Sequence, residues 1–262
     1  MTVPPLTFLL LGQGIAYSAS PQMMRAAFTA LWLPHRYELA DVPPTGLPAS
    51  IEALRSEGSG GANITTPHKL AAAALVDERS DDAERAGAVN TVVRDGSRLV
   101  GHNTDLPALA AAIGRVCPDS PGRVVVLGSG GAARSVMLAL EDRGVTDIVF
   151  LVRSDGSWAR MAAQLADADL VVNATPVGTG DDTSPVPADL LRPDLAVLDL
   201  VYRPSPTRLV TDARAAGARA EAGAGILLGQ ARRSLELWLG VPAPIDAMRS
   251  ALLRELGDGA DA

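Results

Sequence analysis

Lys69 is the one lysine in a chain of 262 residues that carries 22 arginines. Arginine stays protonated near neutrality, whereas a lysine can be tuned to give up and regain a proton. A chain that meets every other demand for a cation with arginine therefore points to proton transfer at position 69. The stretch Gly61-Ala62-Asn63-Ile64-Thr65-Thr66-Pro67-His68-Lys69 reads as strand, turn and helix, with Pro67 in the first helical turn, which puts Lys69 near a helix N-terminus. The positive end of the helix dipole disfavours an ammonium there and a nearby carboxylate favours it, so a lysine held between the two can exchange a proton at physiological pH. Asp105 is the carboxylate to pair with it, because it follows the run Arg98 to Asn103 and opens the next helix, where it also suits an N-cap. Tyr17-Ser18-Ala19-Ser20-Pro21 places two hydroxyls, Ser18 and Ser20, just before a helix, a geometry suited to a carboxylate and equally to a plain helix cap.

Asparagine is nearly as sparse as lysine. Asn63, Asn90, Asn103 and Asn173 each end an apolar run within two residues of a threonine, at strand ends where open α/β sheets build their sites. A second motif, Gly128-Ser129-Gly130-Gly131-Ala132-Ala133, follows the apolar strand Val124 to Leu127 and opens a helix, the context required of a dinucleotide-binding turn. Gly128 permits the tight turn, Gly130 the approach of a pyrophosphate, and Ala133 close packing of helix on strand. The exposed N–H groups of Ser129, Gly131 and Ala132 suit phosphate oxygens. At the end of the next strand stand Arg153, Ser154 and Asp155. An arginine there pairs a ribose 2′-phosphate and an acid accepts from a 2′-hydroxyl, so the segment favours NADP and leaves NAD open.

These residues need a framework, and the composition supplies one. At 47% hydrophobic and 20% charged, the chain can bury the cores of two ordinary domains. The net charge of −7 argues against nucleic acid or an anionic membrane as partner. A lone cysteine, Cys117, and the lack of any Cys/His cluster with zinc spacing predict a reducing, cytoplasmic setting without a metal. The run Leu6 to Leu11 has no basic flank and is too short for an export signal, and no stretch nears the roughly 18 apolar residues of a membrane span. Strands are expected at Leu6 to Leu11, Tyr37 to Val42, Ala62 to Thr65 and Ala88 to Arg94, with helices near 21–33, 47–57 and 67–77. Asp95-Gly96-Ser97 reads as a hairpin turn that makes the first sheet mixed. Further strands at Val124 to Leu127, Ile148 to Val152, Leu170 to Asn173 and Ala196 to Val201, with helices between, predict a second, doubly wound unit. Helices near 226–239 and 243–256 have no strand partner and are expected to return to the first domain. The expected domains are residues 1–104 with 224–262, and 105–223.

The chain resembles the shikimate dehydrogenase family. The likeness is carried, in order, by Ser18-Ala19-Ser20-Pro21, Gly61 through Lys69, Gly87-Ala88-Val89-Asn90-Thr91, Gly101-His102-Asn103-Thr104-Asp105, the glycine turn, Asn173-Ala174-Thr175-Pro176-Val177-Gly178, Tyr202 and Gly225-Ile226-Leu227-Leu228-Gly229-Gln230. It spans nearly the whole sequence. The resemblance implies NADPH-dependent, reversible reduction of 3-dehydroshikimate to shikimate by two α/β domains, one for substrate and one Rossmann-like, around a deep cleft. It implies Lys69 and Asp105 as the catalytic pair, Ser18 and Ser20 on the substrate carboxylate, Thr65, Asn90 and Asp105 on the ring hydroxyls, and Tyr202 and Gln230 closing the substrate pocket. Leu200 and Gly223 fall near the nicotinamide. The partner implied is a small molecule, for a monomer or a homodimer.

The chain also departs from the family pattern. Val152-Arg153-Ser154 stands where the family usually has Asn-Arg-Thr, and Ser157 where a second basic residue is usual. Only one helix, near 157–168, fits between Arg153 and Leu170, which trims the nucleotide domain. Tyr17, Gly14 and Met24-Arg25 replace a histidine, a proline and a His-Asn pair in the first loop. A relative acting on quinate or an aminoshikimate, or a weakly catalytic ligand-binding relative, remains an alternative.

Overall fold

The structure is a computed structural model that describes residues 4–257 and residue 260. The chain folds as two compact α/β units, residues up to Asp105 together with Leu228–Glu255, and Leu106–Leu227. The first has a six-stranded mixed sheet and the second a five-stranded parallel one.

In the first unit, β1 (Thr7–Gly12), β2 (Arg36–Asp41), β3 (Ser59–Ile64), β4 (Glu78–Arg79), β5 (Thr91–Asp95) and β6 (Arg98–His102) lie in the order β2-β1-β3-β5-β6-β4. β5 and β6 form the expected antiparallel hairpin, and β5 runs antiparallel to β3 with Asn63 opposite Thr91. α1 (Ser20–Ala30), α2 (Leu47–Ala53), α3 (Lys69–Ala73) and α4 (Asp81–Ala86) connect them. α3 is shorter than the spacing predicts. Residues 65–68 form a turn closed by His68 N–H on the Thr65 carbonyl, so the helix starts at Lys69 and Pro67 lies outside it. One core joins Leu11, Ile64, Val92 and Leu99 of the sheet to Leu47 and Ile51 of α2 and to Leu54 just after it. Phe8 packs against Phe28 and against Trp238 of the helix Ala224–Leu239, and the Trp238 indole N–H donates to the Val92 carbonyl.

In the second unit, β7 (Arg123–Leu127), β8 (Asp147–Leu151), β9 (Leu170–Asn173), β10 (Ala196–Asp199) and β11 (Ala220–Glu221) lie in the order β11-β10-β9-β7-β8. Alternation along β7 shows why the strand is apolar throughout. Val124 and Val126 enter a core with α5 (Asp105–Val116) and α6 (Gly131–Glu141), while Val125 and Leu127 enter another with Leu165 of α7 (Met161–Leu165) and Leu209 of α8 (Arg208–Ala215). A parallel sheet covered on both faces needs apolar residues at every position. The helix expected near 157–168 is instead two short 3-10 turns, Arg153–Asp155 and Ser157–Arg160, leading into the one-turn α7, because Gly156 takes φ +75 between them. α9 (Ala224–Leu239) and α10 (Ile245–Leu256) complete the chain. Among the described residues no helix is long and apolar enough to cross a membrane, and no group of His, Cys, Asp or Glu could hold a metal.

Candidate active site and cofactor turn

Four segments leave the six-stranded sheet at one end. β1 and β3 are parallel, so the loops after Gly12 and after Ile64 emerge side by side, with Gln13 N–H on the Thr66 carbonyl at 3.1 Å. β5 enters at the same end, where Ile64 N–H donates to the Asn90 carbonyl at 2.8 Å, and β6 exits there into Asn103-Thr104-Asp105. The topology thus gathers Thr65, Lys69, Asn90 and Asp105 from three stretches of sequence.

Lys69 Nζ donates to Asp105 Oδ2 at 2.7 Å, with the two side chains 34% and 19% exposed. Each opens a helix, and Val89 N–H on the Lys69 carbonyl ties α3 to the chain entering β5. Behind the pair lies a buried polar cluster. Asn90 Oδ1 accepts from the Thr104 N–H at 2.8 Å and its Nδ2 donates to Thr104 Oγ1 at 2.9 Å, which fixes the residue before Asp105. Asn63 Nδ2 donates to Ser234 Oγ at 2.9 Å and to Thr91 Oγ1 at 3.0 Å, and Asn63 Oδ1 accepts from Tyr37 OH at 2.8 Å. Burial pushes the Tyr37 phenol far above its ordinary pKa. Ser234 lies on α9, four residues after Gln230, whose carbonyl it bonds at 2.9 Å.

Of the other expected substrate residues, Ser18 is half-buried and accepts from the Ser20 N–H at 3.3 Å, while the buried Ser20 opens α1. Thr65 is half-buried in the turn before Lys69, and Gln230 is half-buried on α9. Tyr202 belongs to the second unit and is half-buried after β10.

The glycine turn sits where the strand order of the five-stranded sheet reverses. β7 has β8 on one side and β9 on the other, and ligands of open α/β sheets bind outside the strand ends at such a point. Gly128 N–H bonds the Leu151 carbonyl and Ala174 N–H the Leu127 carbonyl, so the ends of β8 and β9 flank the turn. Gly128 has φ +108, and a Cβ there would lie 2.9 Å from the Ala174 carbonyl oxygen, so no other residue fits. At Gly130 and Gly131, by contrast, a Cβ would meet nothing within 4 Å. α6 begins at Gly131 with no side chain capping its N-terminus, and Ser129, Gly130, Gly131 and Ala132 are exposed while Ala133 is buried. A turn with free first-turn N–H groups and space in front of its glycines fits a dinucleotide pyrophosphate.

Arg153 and Ser154 are exposed at the end of β8, and the Arg153 guanidinium lies 4.4 Å over the Trp158 ring. Leu200 and Gly223 are brought together, with Gly223 N–H on the Val201 carbonyl and no room for a Cβ against the Leu200 carbonyl. Between them and the glycine turn lies an acid that motif reading missed. Asp199 ends β10 fully buried, and its carboxylate accepts from Asn173 Nδ2 at 2.8 Å, Thr207 Oγ1 at 2.7 Å and the Val201 N–H at 3.0 Å. Burial outweighs these three donors and pushes its pKa up to about 6. The available signal was an acid closing an otherwise apolar strand. Ser234 and Trp158 gave no such signal.

Residues 10–92 match the family described as the shikimate dehydrogenase substrate binding domain, and residues 223–253 that of the shikimate 5′-dehydrogenase C-terminal domain. A relative from Methanopyrus kandleri named shikimate dehydrogenase (NADP+) is 38% identical over 94% of this chain and 94% of its own. The crystal structure of shikimate 5-dehydrogenase from Thermus thermophilus in complex with NADP(H) and shikimate is 36% identical and superposes with a TM-score of 0.85 over 96% of this chain and 100% of that one. Quinate dehydrogenase from Corynebacterium glutamicum in complex with NAD is 29% identical, with a TM-score of 0.85 over 96% of this chain and all of that one. With its site geometry at both sheet ends and relatives of this identity over nearly its whole length, the chain belongs to the shikimate dehydrogenase family.

Proposed function

We propose that the protein catalyses the NADP-dependent, reversible reduction of 3-dehydroshikimate to shikimate. The observation that carries this is the Lys69–Asp105 pair, an ammonium held at 2.7 Å by a partly buried carboxylate, in a chain of this family. NADPH, when bound, supplies the hydride to the ring carbonyl. As negative charge grows on that oxygen, Lys69 Nζ donates the proton that makes it a hydroxyl, and in the oxidative direction the neutral amine takes it back. Asp105 holds the ammonium in place and accepts from a neighbouring ring hydroxyl. Ser18 and Ser20 donate to the substrate carboxylate, Thr65 and Asn90 orient ring hydroxyls, and Tyr202 and Gln230 close around the substrate. Asn90 spends both amide atoms on Thr104, which leaves its second N–H hydrogen for the ligand. Gly128 through Ala132 hold the pyrophosphate, Arg153 and Ser154 the 2′-phosphate, and Leu200 and Gly223 face the nicotinamide. On this reading residues 1–104 with 224–262, joined by Asp105 and Tyr202, serve substrate, and the rest of 105–223 serves the dinucleotide. A small polar substrate, the acidic charge and one buried thiol at Cys117 support a cytoplasmic enzyme without nucleic acid or membrane partners.

Initial rates of oxidation of shikimate and of quinate, each with NADP+ and NAD+, test the assignment. Fast turnover of shikimate with NADP+ is expected. A preference for quinate or NAD+ would transfer the protein to a sister activity, and no turnover in any combination would refute the reading.

A further inference from the structure

The segment after β8 closes around Ser157 and leaves Arg153 at the surface. Val152 N–H donates to Ser157 Oγ at 2.6 Å, Ser157 Oγ donates to the Val152 carbonyl at 3.1 Å, and Ser157 N–H donates to Asp155 Oδ1 at 2.8 Å, so residues 152–157 close on themselves. Asp155, the acid that would favour a ribose 2′-hydroxyl, is thereby turned into the loop. Its hydrogen bonds to Ser157, with the charge of Arg160, hold its carboxyl below the usual range. Trp158 is anchored independently. Its indole N–H donates to the Leu151 carbonyl at 3.0 Å, and its ring packs against the apolar core beneath β8. The Arg153 guanidinium lies over that ring and makes no other polar side-chain contact among the described residues.

Resting on the reading of the protein as NADP-dependent, we infer that Trp158 is the positioning residue that sets dinucleotide choice, by holding the Arg153 guanidinium ready for a ribose 2′-phosphate. Stacking occupies the face of the guanidinium, whereas its N–H donors point outward in the plane, so the contact with Trp158 leaves the phosphate-binding edge free. A guanidinium already immobilised loses less side-chain freedom when a phosphate arrives. One held arginine thus does what a flexible one would do poorly, and Trp158 acts on the 2′-phosphate without touching it.

The test is calorimetric titration of the purified protein with NADP+, NAD+ and adenosine 2′,5′-bisphosphate. Trp158→Leu is expected to weaken NADP+ and the bisphosphate by roughly three- to thirtyfold, the span of a cation–π contact from exposed to desolvated, while leaving NAD+ nearly unchanged. Trp158→Phe, which keeps an aromatic face, restores most of the loss. In an Arg153→Gln background, Trp158→Leu costs nothing further, because the residue acts only through the arginine. Equal weakening of NAD+ and NADP+, or unaltered NADP+ binding by Trp158→Leu, overturns the inference while the NADP reading stands. If Trp158→Leu does not fold, failure of Trp158→Phe to bind better than Arg153→Gln overturns it in the same way. A wild-type protein that binds NADP+ no more tightly than NAD+ overturns both, and shikimate turnover judges the substrate assignment separately.

Discussion

The ends of the two sheets prepare for their ligands in opposite ways. At the Lys69–Asp105 site nearly every polar side chain already has a protein partner: Lys69 on Asp105, Asn90 on Thr104, and Asn63 on Thr91, Ser234 and Tyr37. At the glycine turn the donors are backbone N–H groups at an uncapped, exposed helix start. The difference matches the tasks proposed for the two sites. A proton donor must sit within a fraction of an ångström of its target, and a buried network of neutral amides and hydroxyls fixes it there. An anion needs only convergent donors and space, which open backbone provides. Breaking the first region is therefore expected to damage chemistry and stability together, and breaking the second to damage binding alone.

Four changes separate the two, from the largest effect to the smallest. Lys69→Ala removes the proposed proton donor and is expected to lower kcat by roughly two to four orders of magnitude, measured by steady-state shikimate oxidation, with NADP+ affinity retained. Unchanged turnover would end the role given to Lys69. Asn63→Ala strips four partners in the buried cluster at once and strands the Tyr37 hydroxyl, which is expected to cost about 2–3 kcal/mol of stability in urea unfolding. A loss below the experimental error would mean that water replaces the amide. Gly130→Ala meets open space in the protein, so its melting temperature should match the wild type, yet NADP+ binding should weaken roughly tenfold, the equivalent of about 1.4 kcal/mol. Equal affinities would show that the space in front of Gly130 is not used.

The smallest effect concerns Asp199, among the described residues the one buried acid of the second unit. Its folded pKa of about 6 lies above the ordinary value of 3.8, so the folded state binds the proton more tightly. Its contribution is therefore full below pH 3.8 and lost as pH rises through 6. Relative to Asp199→Asn, the wild type should gain about 1 kcal/mol on going from pH 7.5 to 5 in thermal unfolding. A pH-independent difference would show that the three donors, rather than burial, govern the carboxyl.

Much of the second unit was legible because its signals are local. The glycine turn after an apolar strand dictates the strand, the turn and the helix, and the register of β7 with β8 and β9 then brings Leu151 and Ala174 to its flanks. The segment 157–168 misled, since its length had room for one helix while Asp155, Gly156 and Ser157 had hydrogen bonds that favour turns. In the first unit the hairpin at Gly96 could be read from its turn, but the two-residue strand β4 and helix α4 were too short to show a period.

The sequence by itself determined the residue types that chemistry needs: one lysine among arginines, glycines at a strand end, four asparagines beside threonines. It also determined the order of the longer strands and helices, because periodic burial is written into neighbouring residues. Which of these side chains meet depends on how the strands pair. Lys69 finds Asp105 36 residues away and Asn63 finds Ser234 171 residues away, because parallel and antiparallel pairing brings the ends of β1, β3 and β6 and the start of β5 together. Hydroxyls, amides and an indole face leave no periodic trace, and their partners are fixed by strand register and by where the last helices return.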